Sequence, residues 1–234
     1  MYCLSVYEIL NKLYHDNKKG YSEKEIKQAE EKMGIRFPKK LRDYYLTYGK
    51  LSINECLHEL MEPKDVFWAF PEEEPVQESQ KYLAFWVENQ GVWHMGIRKD
   101  DLLLDSPPVF INTDDGGFEE WELIGKDFDN FLLFMIWHLM EYAFCYHDMV
   151  YRCNIQKYAS LSKEEAMIKI DADIRKMIQE NGLDVQKLLK HPKKIVACWD
   201  EKTDQMFFFQ KSEGVFIDAC ATLCDFYQED REFE

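Results

Sequence analysis

Between residues 20 and 50 the apolar positions fall at helical spacing. Ile26, Ala29 and Met33 share one face, and Leu41, Tyr44, Tyr45 and Tyr48 share the next. Ser22 and Glu25 stand three apart, the capping-box spacing that opens a helix, and Gly34 suits its C-terminal cap. Ile35-Arg36-Phe37 reads as a short extended link, because the residue before Pro38 is steered away from helix. Pro38 then fits the first turn of a second helix that Gly49 ends. The pattern predicts a compact N-terminal pair of helices.

Past residue 80 the chain changes character. Tyr82–Val87 and Val92–Arg98 are aromatic and β-branched runs separated by Glu88-Asn89-Gln90-Gly91, which predicts a β-hairpin. Val109-Phe110-Ile111 follows two prolines as a further strand. Asn112–Gly117 is a turn, and a last strand falls around Glu120–Ile124. Asp127 is placed to cap a helix from Phe128 to about Phe144, apolar on nearly every side and so expected to pack against the sheet.

Around Tyr151–Ser160 the pattern lapses. A second capping box, Ser162 and Glu165, opens a helix with Met167, Ile170, Ile174, Met177 and Ile178 inward, stopping near Gly182. Asp184–Leu189 reads as one or two further helical turns. Ile195–Trp199 and Gln205–Gln210 flank a polar turn as a hairpin, and Val215–Cys220 adds a third strand. The expected fold class is α+β, a mainly antiparallel sheet packed with helices. Residues 1–150 are expected to form one domain and residues 151–234 a helix-plus-strands extension, its strands either continuing the first sheet or forming their own.

Composition narrows the function classes. Apolar residues make up 46% and aromatic residues 15% of the 234, enough for a packed core, so disorder is excluded. Met1–Tyr14 lacks a basic leader with an apolar stretch behind it, and the most apolar run, Phe131–Trp137, is too short to span a bilayer. Cys3, Cys56, Cys145, Cys153, Cys198, Cys220 and Cys224 are odd in number and irregular in spacing, which suits reduced thiols in the cytoplasm. The formal net charge is −15, and residues 65–130 hold 16 acidic against 4 basic side chains. A field of that sign repels phosphate backbones and draws in a basic partner, beyond its ordinary service to solubility.

The run Ala29-Glu30-Glu31-Lys32-Met33-Gly34-Ile35-Arg36-Phe37-Pro38, followed by Leu41-Arg42-Asp43-Tyr44-Tyr45-Leu46-Thr47-Tyr48-Gly49, resembles the opening of the SUKH superfamily. That opening is a helix, a Gly-Ile/Leu-x-Phe/Leu-Pro link and a helix ending in an aromatic-Gly pair. Phe128-Asp129-Asn130-Phe131-Leu132 is similar to the start of the family's helix after the sheet. The resemblance covers roughly residues 20–147 and leaves the rest uncovered. It implies a non-enzymatic protein-binding domain. Family members are chiefly bacterial immunity proteins that neutralise secreted polymorphic toxins, many of them nucleases, and fungal relatives are regulators of cell-wall synthesis.

Catalytic and metal chemistry finds little footing. His138, Glu141 and His147 stand at i, i+3 and i+9, which does not give the i, i+4 pairing of zinc helices. Cys220 and Cys224 lack a second pair at zinc spacing. Asp114-Asp115-Gly116-Gly117 lacks the downstream ligands of a calcium loop and reads as a turn. There is no G-x-S-x-G, G-x-G-x-x-G or P-loop, and no cofactor is expected.

The expected function is therefore that of a cytoplasmic immunity protein without catalysis, binding a cognate toxin domain of basic character, with a regulatory protein-binding scaffold as the alternative. The expected partner-binding residues are Glu72, Glu73, Glu74, Asp100, Asp101, Asp114, Asp115, Glu119 and Glu120. Trp68, Phe70, Trp86, Trp93 and Trp121 lie in the same stretch; any that face outward are candidate anchors.

Overall fold

The computed structural model describes residues 2–14, 18–55, 58–71, 76–114, 117–142, 149–152, 160–200 and 205–223. In chain order the elements are β1 (Tyr2–Cys3), α1 (Val6–Leu13), α2 (Glu23–Met33), α3 (Lys39–Tyr48), β2 (His58–Leu60), β3 (Phe67–Ala69), β4 (Tyr82–Glu88), β5 (His94–Arg98), β6 (Val109–Asn112), β7 (Trp121–Gly125), α4 (Phe128–Tyr142), β8 (Met149–Arg152), α5 (Lys163–Glu180), α6 (Val185–Lys190), β9 (Ile195–Asp200), β10 (Gln205–Ser212) and β11 (Val215–Leu223). They fall into two units, residues 17–143 and residues 1–16 with 144–234. No described helix is long and apolar enough to cross a membrane.

In the unit of residues 17–143, α2 opens with the expected capping box. Ser22 Oγ accepts the Glu25 N–H at 3.3 Å and Glu25 returns the bond to the Ser22 N–H at 2.7 Å. Gly34 closes the helix in the left-handed region at φ 68°, where a side chain would be strained. The link that follows is held from inside. Glu30, nearly buried on α2, accepts the Phe37 N–H at 2.9 Å and lies 3.4 Å from the Arg42 guanidinium. Pro38 stands just before α3, which buries Leu41, Tyr44, Tyr45 and Tyr48 as the spacing predicts.

The sheet of this unit runs β2-β4-β5-β6-β7, with β3 also pairing β4, and every pairing is antiparallel. Helix α4 follows at once. Its Phe128 and Phe131 rings pack on Phe85 at 5.9 and 5.6 Å, and Phe131 packs on Trp86 at 5.6 Å. Tyr44 of α3 closes the group, 6.1 Å from Phe128 and 6.3 Å from Trp86. This aromatic core explains why the apolar helix after the sheet is needed: it covers one face of the central strand. The three-residue strands β2 and β3 lie outside the sequence expectation.

The second unit has its own sheet, in the order β1-β9-β10-β11-β8. The strands after residue 150 thus do not continue the first sheet. Tyr2 and Cys3 pair with Trp199 and Cys198, so the N-terminal strand sits with the C-terminal strands and not with residues 17–143, a difference from the expected division at residue 150. The cause is an open edge on β9, whose backbone groups β1 satisfies. Ile174, Met177 and Ile178 of α5 pack with Val196, Phe207, Phe209 and Phe216 of the sheet in one apolar cluster. Lys211 is buried and turns its ammonium onto the carbonyls of Leu188, Leu189 and His191 where α6 ends, a cation at a helix C-terminus.

Candidate interaction surface

Strand register decides where the acidic residues go. His94 pairs with Asn112, and Asn112 with Trp121, so the start of β5, the end of β6 and the start of β7 share one end of the sheet. Arg98 closes the other end of β5, about 13 Å away at a strand's usual rise of 3.3 Å per residue.

At the first end the connection from β6 to β7 is tied by its own side chains. Asp114 accepts the Glu120 N–H at 2.9 Å, and Asn112 Nδ2 donates to the Glu120 carbonyl at 2.8 Å. Glu119 and Glu120 are left exposed. Phe118 sits at φ 52°, a left-handed backbone that is costly for a residue with a Cβ. Its ring is gripped by His94 at 5.1 Å, Phe67 at 5.9 Å and Trp121 at 6.3 Å, and Trp121 Nε1 donates to the Phe118 carbonyl at 3.1 Å. Trp121 then stacks on Tyr82 at 4.2 Å and 9°. Gly96 lies beneath it, where a Cβ would stand 3.1 Å from the indole ring. A half-exposed aromatic layer thus covers this face of the strands, rimmed by Asp114, Glu119 and Glu120.

A histidine pair extends the same end. His58 on β2 pairs with Glu88 on β4, and its Nε2 lies 3.0 Å from Nε2 of His138 on α4. One ring donates and the other accepts, so the two cannot both be charged without repulsion. Burial pushes the His58 pKa down to about 4, with the His138 charge second and Glu88 opposing. Burial also lowers His94. The Nδ1 atoms of His58 and His94 are buried without a hydrogen-bond partner among the described residues, in keeping with neutral rings. Trp93 stacks on His58 at 6.0 Å and keeps 39% of its surface exposed, the largest outward aromatic at this end.

At the opposite end Asp101 is committed internally. Its carboxylate takes two bonds from Arg98, at 3.0 and 3.2 Å, and keeps 13% of its side chain exposed. Asp100 is exposed beside it. The turn beyond shows Leu103 at 97% and Leu104 at 49% exposure, on the rim of a groove of about 920 Å³ between the α2–α3 link and that turn. Lys27, Arg36 and Lys99 help line it, so this groove is not acidic.

The expected partner-binding residues that are described fall at two ends of the sheet. The fold gathers Asp114, Glu119 and Glu120 with Glu88 at one end and sets Asp100 and Asp101 at the other. Glu72, Glu73, Glu74 and Asp115 lie outside the described residues. Among the aromatic candidates Trp86 is core, Trp93 and Phe70 face outward, and Trp68 and Trp121 are half-buried. Of the discounted metal trio, His138 belongs to the histidine pair. His147 and the side chain of Glu141 lie outside the description. No group of three or more metal-ligating side chains occurs among the described residues. The sequence reading missed Glu88 and His58, which only strand pairing brings to this end.

One comparison with known proteins finds a family. Residues 20–134 match the model of the SMI1 / KNR4 family (SUKH-1), a span that falls inside the unit of residues 17–143. No curated protein and no solved structure matches.

Proposed function

Its residues 20–134 make this chain a member of the SMI1 / KNR4 family (SUKH-1), and from that premise we propose that it is a cytoplasmic immunity protein that binds a toxin domain of basic surface and blocks it sterically. The observation that supports this most is the end of the first sheet, where Asp114, Glu119 and Glu120 rim the aromatic layer of Phe118 and Trp121, and Glu88 and Trp93 stand beside the histidine pair at the same end. Aromatic side chains supply binding energy at the centre of an interface, and the acidic rim speeds encounter with a basic partner. No catalytic step is part of the proposal.

The test is association with the C-terminal domain of a toxin encoded beside the gene, measured at low and high salt. Tight binding with an on-rate that falls as salt rises is expected. The triple variant E88Q/E119Q/E120Q should associate about 3- to 10-fold more slowly at low salt and lose most of that salt dependence, while D100N at the far end should behave as wild type. Equal, salt-insensitive rates for all three proteins would remove the acidic surface from the account. Failure to bind any neighbouring toxin domain would overturn the immunity reading and leave the regulatory scaffold.

A further inference from the structure

In the second unit one pair of thiols faces across neighbouring strands, and no part of this reading uses it. Cys3 on β1 lies directly opposite Cys198 on β9, with the sulfur atoms 3.7 Å apart and both thiols free. The next pair along the ladder, Leu4 and Ala197, is hydrogen-bonded, the Leu4 N–H donating to the Ala197 carbonyl at 2.9 Å. Hydrogen-bonded and non-hydrogen-bonded pairs alternate in an antiparallel ladder, so Cys3 and Cys198 form a non-hydrogen-bonded pair. Side chains approach closest at such a pair, with Cα atoms about 4.5 Å apart. That spacing lies inside the window of a disulfide, about 4.4–6.8 Å. Bringing the sulfurs to bonding distance, about 2.05 Å, asks for side-chain rotation and no movement of the strands.

The two thiols differ in access. Cys198 is buried in the apolar cluster with Val196, Phe207 and Phe209, whereas Cys3 packs on that cluster from the edge and is half-exposed. We propose that Cys3 and Cys198 are a thiol–disulfide exchange site, closed by a low-molecular-weight disulfide to a cross-strand bond that locks β1 onto β9. The Cys3 thiolate attacks one sulfur of the small disulfide, forming a mixed disulfide and releasing one small thiol. Cys198 then gives up its proton and attacks the Cys3 sulfur, releasing the second small thiol. Two protein thiols are oxidised by two electrons and one small disulfide is reduced to two thiols. Burial, and after it the neighbouring Cys3, pushes the Cys198 thiol well up, with Lys187 opposing, so the second step is the slow one. Closure matters because β1 has only two residues to hold the edge of β9, an edge that would otherwise be open to a foreign strand.

The full chain is incubated without oxygen in buffers of reduced and oxidised glutathione, quenched with an alkylating agent, and mapped by peptide mass. A Cys3–Cys198 link is expected, reversed by dithiothreitol, with an unfolding midpoint about 5 °C or more above that of the reduced protein. C198A should stop at a glutathione adduct on Cys3. C3S, which leaves the core intact, should show no oxidation at position 198 and no midpoint shift. The proposal is overturned if wild-type Cys3 stops at the adduct with Cys198 still a thiol. It is equally overturned if Cys3 links to another cysteine, or if both stay reduced while other thiols of the chain oxidise.

Discussion

His58 shows how one buried side chain sets a pH response. Its pKa is lowered from 6.5 to about 4, first by burial and second by His138 across the 3.0 Å contact. Between those two values the unfolded chain binds a proton that the folded protein refuses. Stability therefore falls as the pH drops from about 6.5 toward 4 and is fully present above that window. The order of causes makes a sharper claim. Removing the His138 charge with H138A should raise the His58 midpoint without restoring the ordinary value, because burial, the larger cause, remains. Two-dimensional NMR of the ring protons reads this directly, with a midpoint about 4 in the wild type and a higher one, still below the ordinary histidine value, in the variant. A return to about 6.5 would mean that the partner charge, and not burial, holds the ring neutral.

At the scale of elements, the joint between α2 and α3 depends on a residue that looks misplaced. Glu30 is only 7% exposed, a carboxylate beside the buried Ala29, and it anchors the Phe37 N–H and faces Arg42. Glu30→Ala strands that N–H and weakens the hold on Arg42, and should cost about 2–3 kcal/mol in urea unfolding. Glu30→Gln keeps an acceptor for Phe37 and should cost about half as much. Equal costs would show that the ion pair alone matters. None of this was readable in the sequence, where Glu30 stands among charged residues, although the joint itself was. Ser22, Glu25, Gly34 and Pro38 act locally, so spacing alone exposed them. Likewise Tyr82–Glu88 and Gln205–Ser212 carry aromatic-rich apolar runs long enough to announce strands, while β2 and β3, at three residues each, are too short to do so. Helix α1 was legible and went unread, for Ser5 and Glu8 form a capping box ahead of Val6, Ile9, Leu10 and Leu13. The candidate surface was only half legible. Acidic residues can be counted in a sequence, but register alone sends Glu120 to one end of the sheet and Asp101 to the other. His58 and His138 meet across 80 residues of chain.

The molecule as a whole has two cores, one around Tyr44, Phe85, Trp86, Phe128 and Phe131, the other around Ile174, Ile178, Phe207, Phe209 and Phe216. The family match, 20–134, touches only the first. Residues 1–16 nonetheless belong to the second, by chain order the far one. Deleting them removes β1 from the edge of β9 and takes away Val6, Ile9, Leu10 and Leu13, each no more than 1% exposed. At about 1.5–3 kcal/mol for each buried side chain, the loss is roughly 6–12 kcal/mol, comparable to the whole stability of a domain. The truncated protein should therefore lose slow amide exchange throughout β9, β10 and β11 while amides of β4 and β5 stay protected. A chain of residues 17–143 alone should keep that same protection and still bind whatever partner the intact protein binds. If protection in β4 and β5 vanished together with that in β9, the two cores would be one cooperative unit, and the partner surface on the first sheet would depend on the second. Persistence of both would mean that α1 and β1 contribute little, and their burial would need another explanation. The expected split, one core lost and one kept, would show that the binding module is self-sufficient and that the N-terminal segment serves the second unit.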